Sequence, residues 1–406
     1  MGFQRQILDH NKQRSDHKRF VIIYIHELEQ VLQVQILTFI SISVHAMWNE
    51  EHWYEVARPQ VHGYDLVCLT LMPNHRLASG AEEKLVRVFE ATTNFIDNVS
   101  SITKSEKFKG DGRALAQGAS VPSLGLSNKA VLDGNEEPTP EVDKHVKDQF
   151  PDFYFKPELH DKPPPEETLV QNTLWPEIQK LYGHGYEIFC VSSSQSGSLF
   201  VSSCKAAQAE HANILVWETD KWHKVASLDN GHTLTVVQMA FSPDDKYLLS
   251  VSRDRTLCVW DMKTFDLVFK TDKKTSVHQR IIWSCDWYHD SNYFVTAGRD
   301  KKCVIWSLKE QKAICNLAFH TAVTAVAFAP IKDKIIIVAG LEDGGIYLAK
   351  YDFETGWSPT TKIEQAHHKT IRRLKFQRIG EMTTPSHVLL ASCGSDHFVQ
   401  LIRIKV

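Results

Sequence analysis

The residues with the most chemical potential in this 406-residue chain are a histidine, a hydroxyl and an aspartate that recur at fixed spacing. His232, Ser250 and Asp254 make one set, and His278, Thr296 and Asp300 make a second. In both, the histidine stands 22 residues before the acid and the hydroxyl four before it. These are the parts of a hydrolase triad, in which the base takes the nucleophile's proton and the acid orients the base. A triad occurs once per enzyme, however, at a cleft. Here the set recurs, and each copy ends on a tryptophan six residues past the acid, Trp260 and Trp306. A third copy, His320, Glu342 and Leu348, keeps the same offsets. Recurrence together with an indole points to a buried network rather than to catalysis. The histidine precedes an inner strand, the acid sits in a tight turn, and hydroxyl and indole come from neighbouring strands, each satisfying another's hydrogen bond. There is no His-x-x-x-His, no Gly-x-Ser-x-Gly and no phosphate-binding glycine loop. The eight cysteines (68, 190, 204, 258, 285, 303, 315 and 393) stand singly, mostly in apolar runs. That spacing predicts buried reduced thiols, and no metal or other cofactor.

The elements that must position these groups repeat with them. Leu249–Trp260 and Val295–Trp306 each read as strand, acidic turn, strand and closing aromatic. Weaker copies are Ala78–Phe89, Val338–Leu348 and Ala391–Ile402. The closing residues Trp217, Trp260, Trp306 and Leu348 lie 43, 46 and 42 apart, the period of a four-stranded propeller blade. The chain therefore reads as an all-β propeller with six recognisable blades, ending at Phe89, Trp217, Trp260, Trp306, Leu348 and Ile402. A Pro- and Glu-rich insertion at about residues 94–173 has a composition that cannot order itself alone. Phe150, Phe153, Tyr154 and Phe155 are its apolar anchors, for the propeller flank or for a partner. A shorter insertion, Lys205–His211, falls in a turn of the second of these blades, on a face of the disc.

A hydrophobic share of 43% supplies a substantial core, and a net charge of −3 gives no global attraction to nucleic acid or anionic membrane. Val21–Trp48 is apolar, but His26, Glu27, Glu29, Gln30, Gln33 and Gln35 break it up, so strands or a buried helix are expected rather than a membrane span. The first residues lack a signal-peptide pattern, and a soluble intracellular protein is expected.

Several stretches are not generic to such repeats. They are Glu55–Asp65, Ser79–Phe89, Val121–Ala130, Thr173–Phe189 with its Gly-His-Gly-Tyr-Glu-Ile-Phe, Cys204–Ala207, Met239–Pro243 and Ser252–Thr256. In these the sequence resembles the subunit-two family of the Elongator complex, WD-repeat proteins, over about residues 47–406. The resemblance implies a non-catalytic scaffold of cytoplasm and nucleus. It would join the large scaffold subunit to the radical-SAM acetyltransferase subunit of a complex that modifies the wobble uridine of certain tRNAs. Members of the family carry two seven-bladed propellers in a chain about twice this long, and only the second is resembled here. Residues 1–45 resemble nothing in the family, which suggests a shortened chain or a faulty gene model, with the propeller running over 46–406. A seventh blade is then missing or improvised from Phe20 to Val44, and an open ring would expose a strand edge.

Arg253, Arg255, Arg299, Lys301 and Lys302 flank the turns of neighbouring blades. Two readings stand: a weak, sequence-independent contact with tRNA phosphates, or a solvated turn face partly neutralised by Asp254 and Asp300. Arg372 and Arg373, near His367 and His368, read the same way. Two other function classes compete with the Elongator scaffold: an adaptor of another complex, in signalling or vesicle coats, sharing only the fold, and a propeller enzyme with an acid/base or metal cluster at the channel mouth.

Overall fold

A computed structural model describes residues 3–8, 20–25, 31–37, 41–48, 52–61, 64–104, 114–121, 127–132, 155–272, 276–332, 334–364, 366–377 and 387–405. Strands dominate, and they pair antiparallel in sheets of four. Blade 2 consists of Leu66–Met72, Arg76–Ala81, Leu85–Glu90 and Glu177–Tyr182; blade 3 of Ile188–Ser193, Leu199–Cys204, Ile214–Glu218 and Lys224–Leu228. Blade 4 runs through Val236–Phe241, Tyr247–Ser252, Leu257–Asp261 and Leu267–Lys270, and blade 5 through Ile282–Trp287, Tyr293–Gly298, Lys302–Ser307 and Lys312–Ala318. In blade 6, Val323–Phe328, Ile335–Leu341 and Ile346–Asp352 are followed by two short outer pieces, Gly356–Trp357 and Thr361–Ile363.

The remaining two sheets close the ring. Blade 7 is Ile371–Phe376, His387–Gly394 and Val399–Lys405, and its outer strand is Phe3–Leu8, paired from Phe3 opposite Ile404 to Leu8 opposite Val399. Blade 1 is Phe20–Ile25, Val31–Leu37, Ser41–Trp48 and His52–Val61. Its innermost strand packs against the innermost strands of blades 7 and 2, so seven inner strands follow one another around a continuous circuit. Of the two expectations for a seventh blade, the improvised one holds, and it extends to Val61.

Tight turns follow from local chemistry. Between the first two strands of blade 4, Ser242 Oγ bonds Asp244 at 2.6 Å, the Asp245 N–H donates to the Ser242 carbonyl at 3.0 Å, and Asp245 takes φ 58°, as aspartate tolerates in a turn. Middle strands carry the core. Phe200, Leu248, Phe294 and Ile337 are wholly buried at one register position of successive blades. All eight cysteines are free, seven of them buried and Cys315 half-buried. No helix among the described residues is long and apolar enough to cross a bilayer.

Part of the insertion is ordered by the propeller it lies on. Helix α1 (Thr93–Thr103) is capped by Thr92, whose side chain accepts from the Phe95 N–H at 3.2 Å. It buries Phe95, Ile96, Val99 and Ile102 against Trp175 and the apolar faces of blades 1 and 2. Phe155 lies against Gly118, where a Cβ would fall 2.3 Å from its ring. A short helix, α2 (Glu166–Gln171), is held to blade 1 by Arg58, which grips Glu55 and Glu166 together. Of the other proposed anchors, Phe150, Phe153 and Tyr154 lie outside the described residues.

Candidate functional site

In blades 4 and 5 the strand order brings the repeated histidine, hydroxyl and acid to one corner, where the chain enters the innermost strand and where the two middle strands turn. In blade 4, His232 Nε2 lies 2.9 Å from Ser250 Oγ, and the Trp260 indole N–H donates to the same oxygen at 3.1 Å. His232 Nδ1 faces Asp254 at 3.3 Å and Thr256 Oγ1 at 3.1 Å. Asp254 also accepts from the Thr233 N–H at 2.8 Å and the Thr256 hydroxyl at 2.6 Å. Gly231 is required beside the histidine because the indole covers it: a Cβ there would fall 2.2 Å from Trp260. Blade 5 repeats the set, with His278 Nε2 2.8 Å from Thr296 Oγ1, Trp306 donating to that oxygen at 2.8 Å, and His278 Nδ1 3.0 Å from Asp300.

Burial disfavours the charge on both partners of the blade 4 pair, but their mutual attraction reverses it. The His232 bond holds Asp254 below the usual carboxylate range, and Cys258 and Asp254 raise His232 to about 9. Ser250 and Thr296 are wholly buried, their oxygens boxed between imidazole and indole. A hydroxyl so enclosed has no face on which a substrate could sit.

Blade 7 carries a further network that the spacing hid. His367 Nε2 lies 2.9 Å from Ser392 Oγ, and Nδ1 lies 3.0 Å from Asp396, which also accepts from the His368 N–H at 2.9 Å. The histidine precedes the acid by 29 residues here against 22 in blade 4, because the connection between the first two strands is longer. Ile402, opposite Leu390, takes the place of the indole.

Blade 6 corrects the third proposed copy. The Glu342 N–H donates to the Ala322 carbonyl at 3.0 Å, as Arg253 N–H does to Thr235 in blade 4, so the acid position belongs to Asp343 and not to Glu342. Pairing places Ala339 opposite Val326 and Ala349 opposite Ile337, the registers of Ser250 and Trp260. Leu348 is therefore one residue away from the indole position. With no polar group inside, His320 stays at the surface and pairs with Asp343 at 2.6 Å.

Blade 2 rewires the same corner. Gln60 accepts from the Ser79 hydroxyl at 3.0 Å, and the turn acid Glu83 binds Arg87 at 2.7 Å, which also reaches Glu177 at 2.9 Å. Blade 3 keeps three members: His184 Nε2 lies 2.8 Å from Ser202 Oγ, and Trp217 donates to that oxygen at 2.9 Å.

The five basic turn residues lie on the face that carries these corners, but they diverge. Arg253 leans back over the Phe189 ring of blade 3 at 5.3 Å, while Lys301 reaches forward to the His320 carbonyl at 3.0 Å. Arg255 and Arg299 are exposed and have no ionic partner among the described residues; Lys302 is half-buried in its strand. Asp254 and Asp300, expected to neutralise them in part, are turned inward onto histidines. Arg372 donates to Ser395 Oγ at 2.7 Å. Arg373 does not join the turns: it projects into a central cavity of about 380 Å³, where Gln238 lies 3.5 Å from it and Lys375 sits 3.9 Å from Asp286.

Comparison with known proteins agrees with this architecture. The WD domain, G-beta repeat family matches residues 175–218, 222–261 and 270–307, which fall on blades 3 to 5 and the strand before them. The chain is 44% identical to Elongator complex protein 2 of Rattus norvegicus over 89% of its own length and 49% of that relative's. It is 46% identical to that of Drosophila melanogaster over 89% and 48%, and 41% identical to that of Homo sapiens over 87% and 48%. The chain thus spans about half the length of the curated relatives it matches. It is a WD-repeat β-propeller of seven blades, similar over most of its length to about half of Elongator complex protein 2.

Proposed function

We propose that this propeller acts as a non-catalytic scaffold subunit of the Elongator complex, in cytoplasm and nucleus, bridging the large scaffold subunit and the radical-SAM acetyltransferase subunit and so supporting wobble-uridine modification of tRNA. The observation that carries the reading is the 41–46% identity to Elongator complex protein 2 of several animals across nearly nine-tenths of the chain. The corners support it as well, because their hydroxyls and acids are consumed in holding the blades together. The test is affinity purification of the tagged chain from its own cells, with mass spectrometry of what comes along. Recovery of the other Elongator subunits supports the scaffold and shows that one propeller suffices for assembly. Recovery of chaperones alone, or of a different stable complex such as a vesicle coat, overturns it.

A weak contact with the tRNA backbone is favoured by one observation: Arg255 and Arg299 are exposed with no ionic partner among the described residues, the adjacent aspartates facing inward onto histidines. The expected result is a tRNA affinity that falls steeply with salt and drops on Arg255→Ala with Arg299→Ala. An affinity indifferent to both rules the contact out.

A further inference from the structure

Blade 3 has the same corner as blades 4 and 5 with one member removed, the carboxylate that blade 7 also keeps. The Lys205 N–H donates to the Glu187 carbonyl at 2.8 Å, as Arg253 does to Thr235 at 3.1 Å, Arg299 to Ile281 at 2.8 Å and Ser395 to Thr370 at 2.8 Å. The next residue in the other three blades is Asp254, Asp300 or Asp396. In blade 3 it is Ala206. His184 Nδ1, the atom that meets the aspartate elsewhere, is buried here with no hydrogen-bond partner, and the residue as a whole is only 9% exposed. The Gly185 N–H corresponds to the N–H groups of Thr233, Gln279 and His368, which donate to carboxylates. It lies beside the Cys204 sulfur, a weak acceptor. In the tautomer in which Ser202 Oγ accepts from the indole and donates to Nε2, Nδ1 carries the imidazole proton and stands, beside the Gly185 N–H, at a place where the sister blades hold a carboxylate.

We infer that this corner is a receptor for a carboxylate carried by an aspartate or glutamate of a binding partner, which completes the network from outside. A buried donor without an acceptor is costly, and a charged acceptor forms the stronger hydrogen bond. The site lies on a disc face and is covered by little. The His211 ring lies over Gly185, where a Cβ would come within 3.3 Å of it, and pairs edge-on with Tyr186 at 4.8 Å. His211 belongs to a three-residue turn, Ala209–His211, held through its backbone to Gln208 and Cys204, so its ring can swing aside on its own torsions and give up only the pair with Glu210 and the contact with Tyr186.

The surrounding charges suit an incoming acid. Lys224 acts on His184, and Lys84 lies 5.8 Å from the Tyr186 ring centre. The nearby acids Glu82 and Glu210 are engaged with Lys205 at 3.7 Å and His211 at 3.1 Å, while Glu187 stands by Cys204. Tyr182 and Tyr186, 66% and 46% exposed, flank the entrance and offer the broad contact that a polypeptide uses and a free small acid does not. Burial, with Lys224 beside it, pushes His184 down to about 4. A carboxylate against Nδ1 acts in the opposite sense, as Asp254 does on His232.

The site does not depend on which complex holds the chain, and its test uses the purified full chain alone, so a failed co-purification leaves it standing. Histidine ring signals are followed by NMR, with His184 assigned through His184→Gln. The probes are an N-acetylated, C-amidated Gly-Gly-Asp-Gly-Gly, its asparagine twin, and sodium acetate. The expected result is that the aspartate peptide shifts the His184 signal and raises its titration midpoint, while the asparagine twin does neither. Ala206→Asp, which fills the corner from within, is expected to raise the midpoint above the ordinary histidine value and to weaken the peptide response at least about tenfold. Ala206→Asn is the uncharged control. If Ala206→Asp fails to fold, the two peptides on the unaltered chain still decide. No response to the aspartate peptide, or an equal response in Ala206→Asp, overturns the inference. Acetate matching the peptide at equal concentration also overturns it, by assigning the corner to small acids.

Discussion

Blades 4 and 6 are built on the same strand order and close their corners by opposite means. Blade 4 threads histidine, serine, aspartate and tryptophan into a chain of hydrogen bonds that runs from the disc face into the sheet. Blade 6 has Ala339 and Ala349 at the serine and tryptophan registers, wholly buried, and its histidine and acid meet in solvent. The sheet thus forms without the network. What the network adds is a fixed corner: each buried polar group has one arrangement that satisfies it, and any other leaves an orphan.

The comparison breaks most visibly where a buried acceptor is removed. Asp300→Ala leaves His278 Nδ1 and the Gln279 N–H without their carboxylate and is expected to destabilise the propeller by about 3 kcal/mol, read from urea unfolding. The pH dependence sharpens the contrast without mutating the core. Asp254 is depressed in the folded state, so its contribution is present above the unfolded carboxylate value and is lost as pH falls through the folded one. His232 is raised to about 9, so its contribution is complete below about 6.5 and is lost as pH rises towards 9. Unfolding free energy measured from pH 6 to 10 should decline in the unaltered chain, and Asp254→Asn should flatten that decline. His184 behaves oppositely. Its lowered value stabilises the fold above about 6.5, and this is lost as pH falls towards 4, so His184→Gln should flatten the acid limb instead.

Smaller effects follow. Trp306→Phe keeps an aromatic ring but removes the donor to Thr296 and leaves a gap where the wider indole was buried, with an expected cost of about 2 kcal/mol in the same unfolding assay. Asp343→Ala removes an exposed pair, its partners 56% and 46% exposed, and the bond from the Gly345 N–H in the same turn, and should change stability by less than about 1 kcal/mol. An Asp343→Ala cost as large as that of Asp300→Ala would mean that blade 6 closes its corner as blade 4 does.

Blades were legible because their closing residues recur at a near-constant period from Trp217 to Leu348, and the networks of blades 4 and 5 because acid, hydroxyl and indole keep constant separation there. Where a connection changes length, the pattern slips. The histidine of blade 7 stands too far from Asp396 to share the offset, and blade 6 is displaced by one residue, so Glu342 was read in place of Asp343. Helix α1 was missed because Phe95, Ile96, Val99 and Ile102 sit among polar residues in a stretch whose overall composition reads as a loop. Blade 1 has no acid between its second and third strands to mark its turn. The missing acid of blade 3 was present in the sequence as Ala206, but only the backbone bond of Lys205 identifies it as the replaced position.

The pairing of Phe3–Leu8 with Val399–Lys405 gives the ring a mechanical grain. Phe3 faces Ile404 at one end of that ladder, and Leu8 faces Val399 at the other. Tension applied at Phe3 and Ile404 therefore enters at a single end and loads the rungs in succession, each breaking before the next is strained. Tension applied across the disc, between blades 2 and 5, loads whole sheets and their packed faces together. The molecule resists being torn apart but can be unzipped, and blade 7 is the seam.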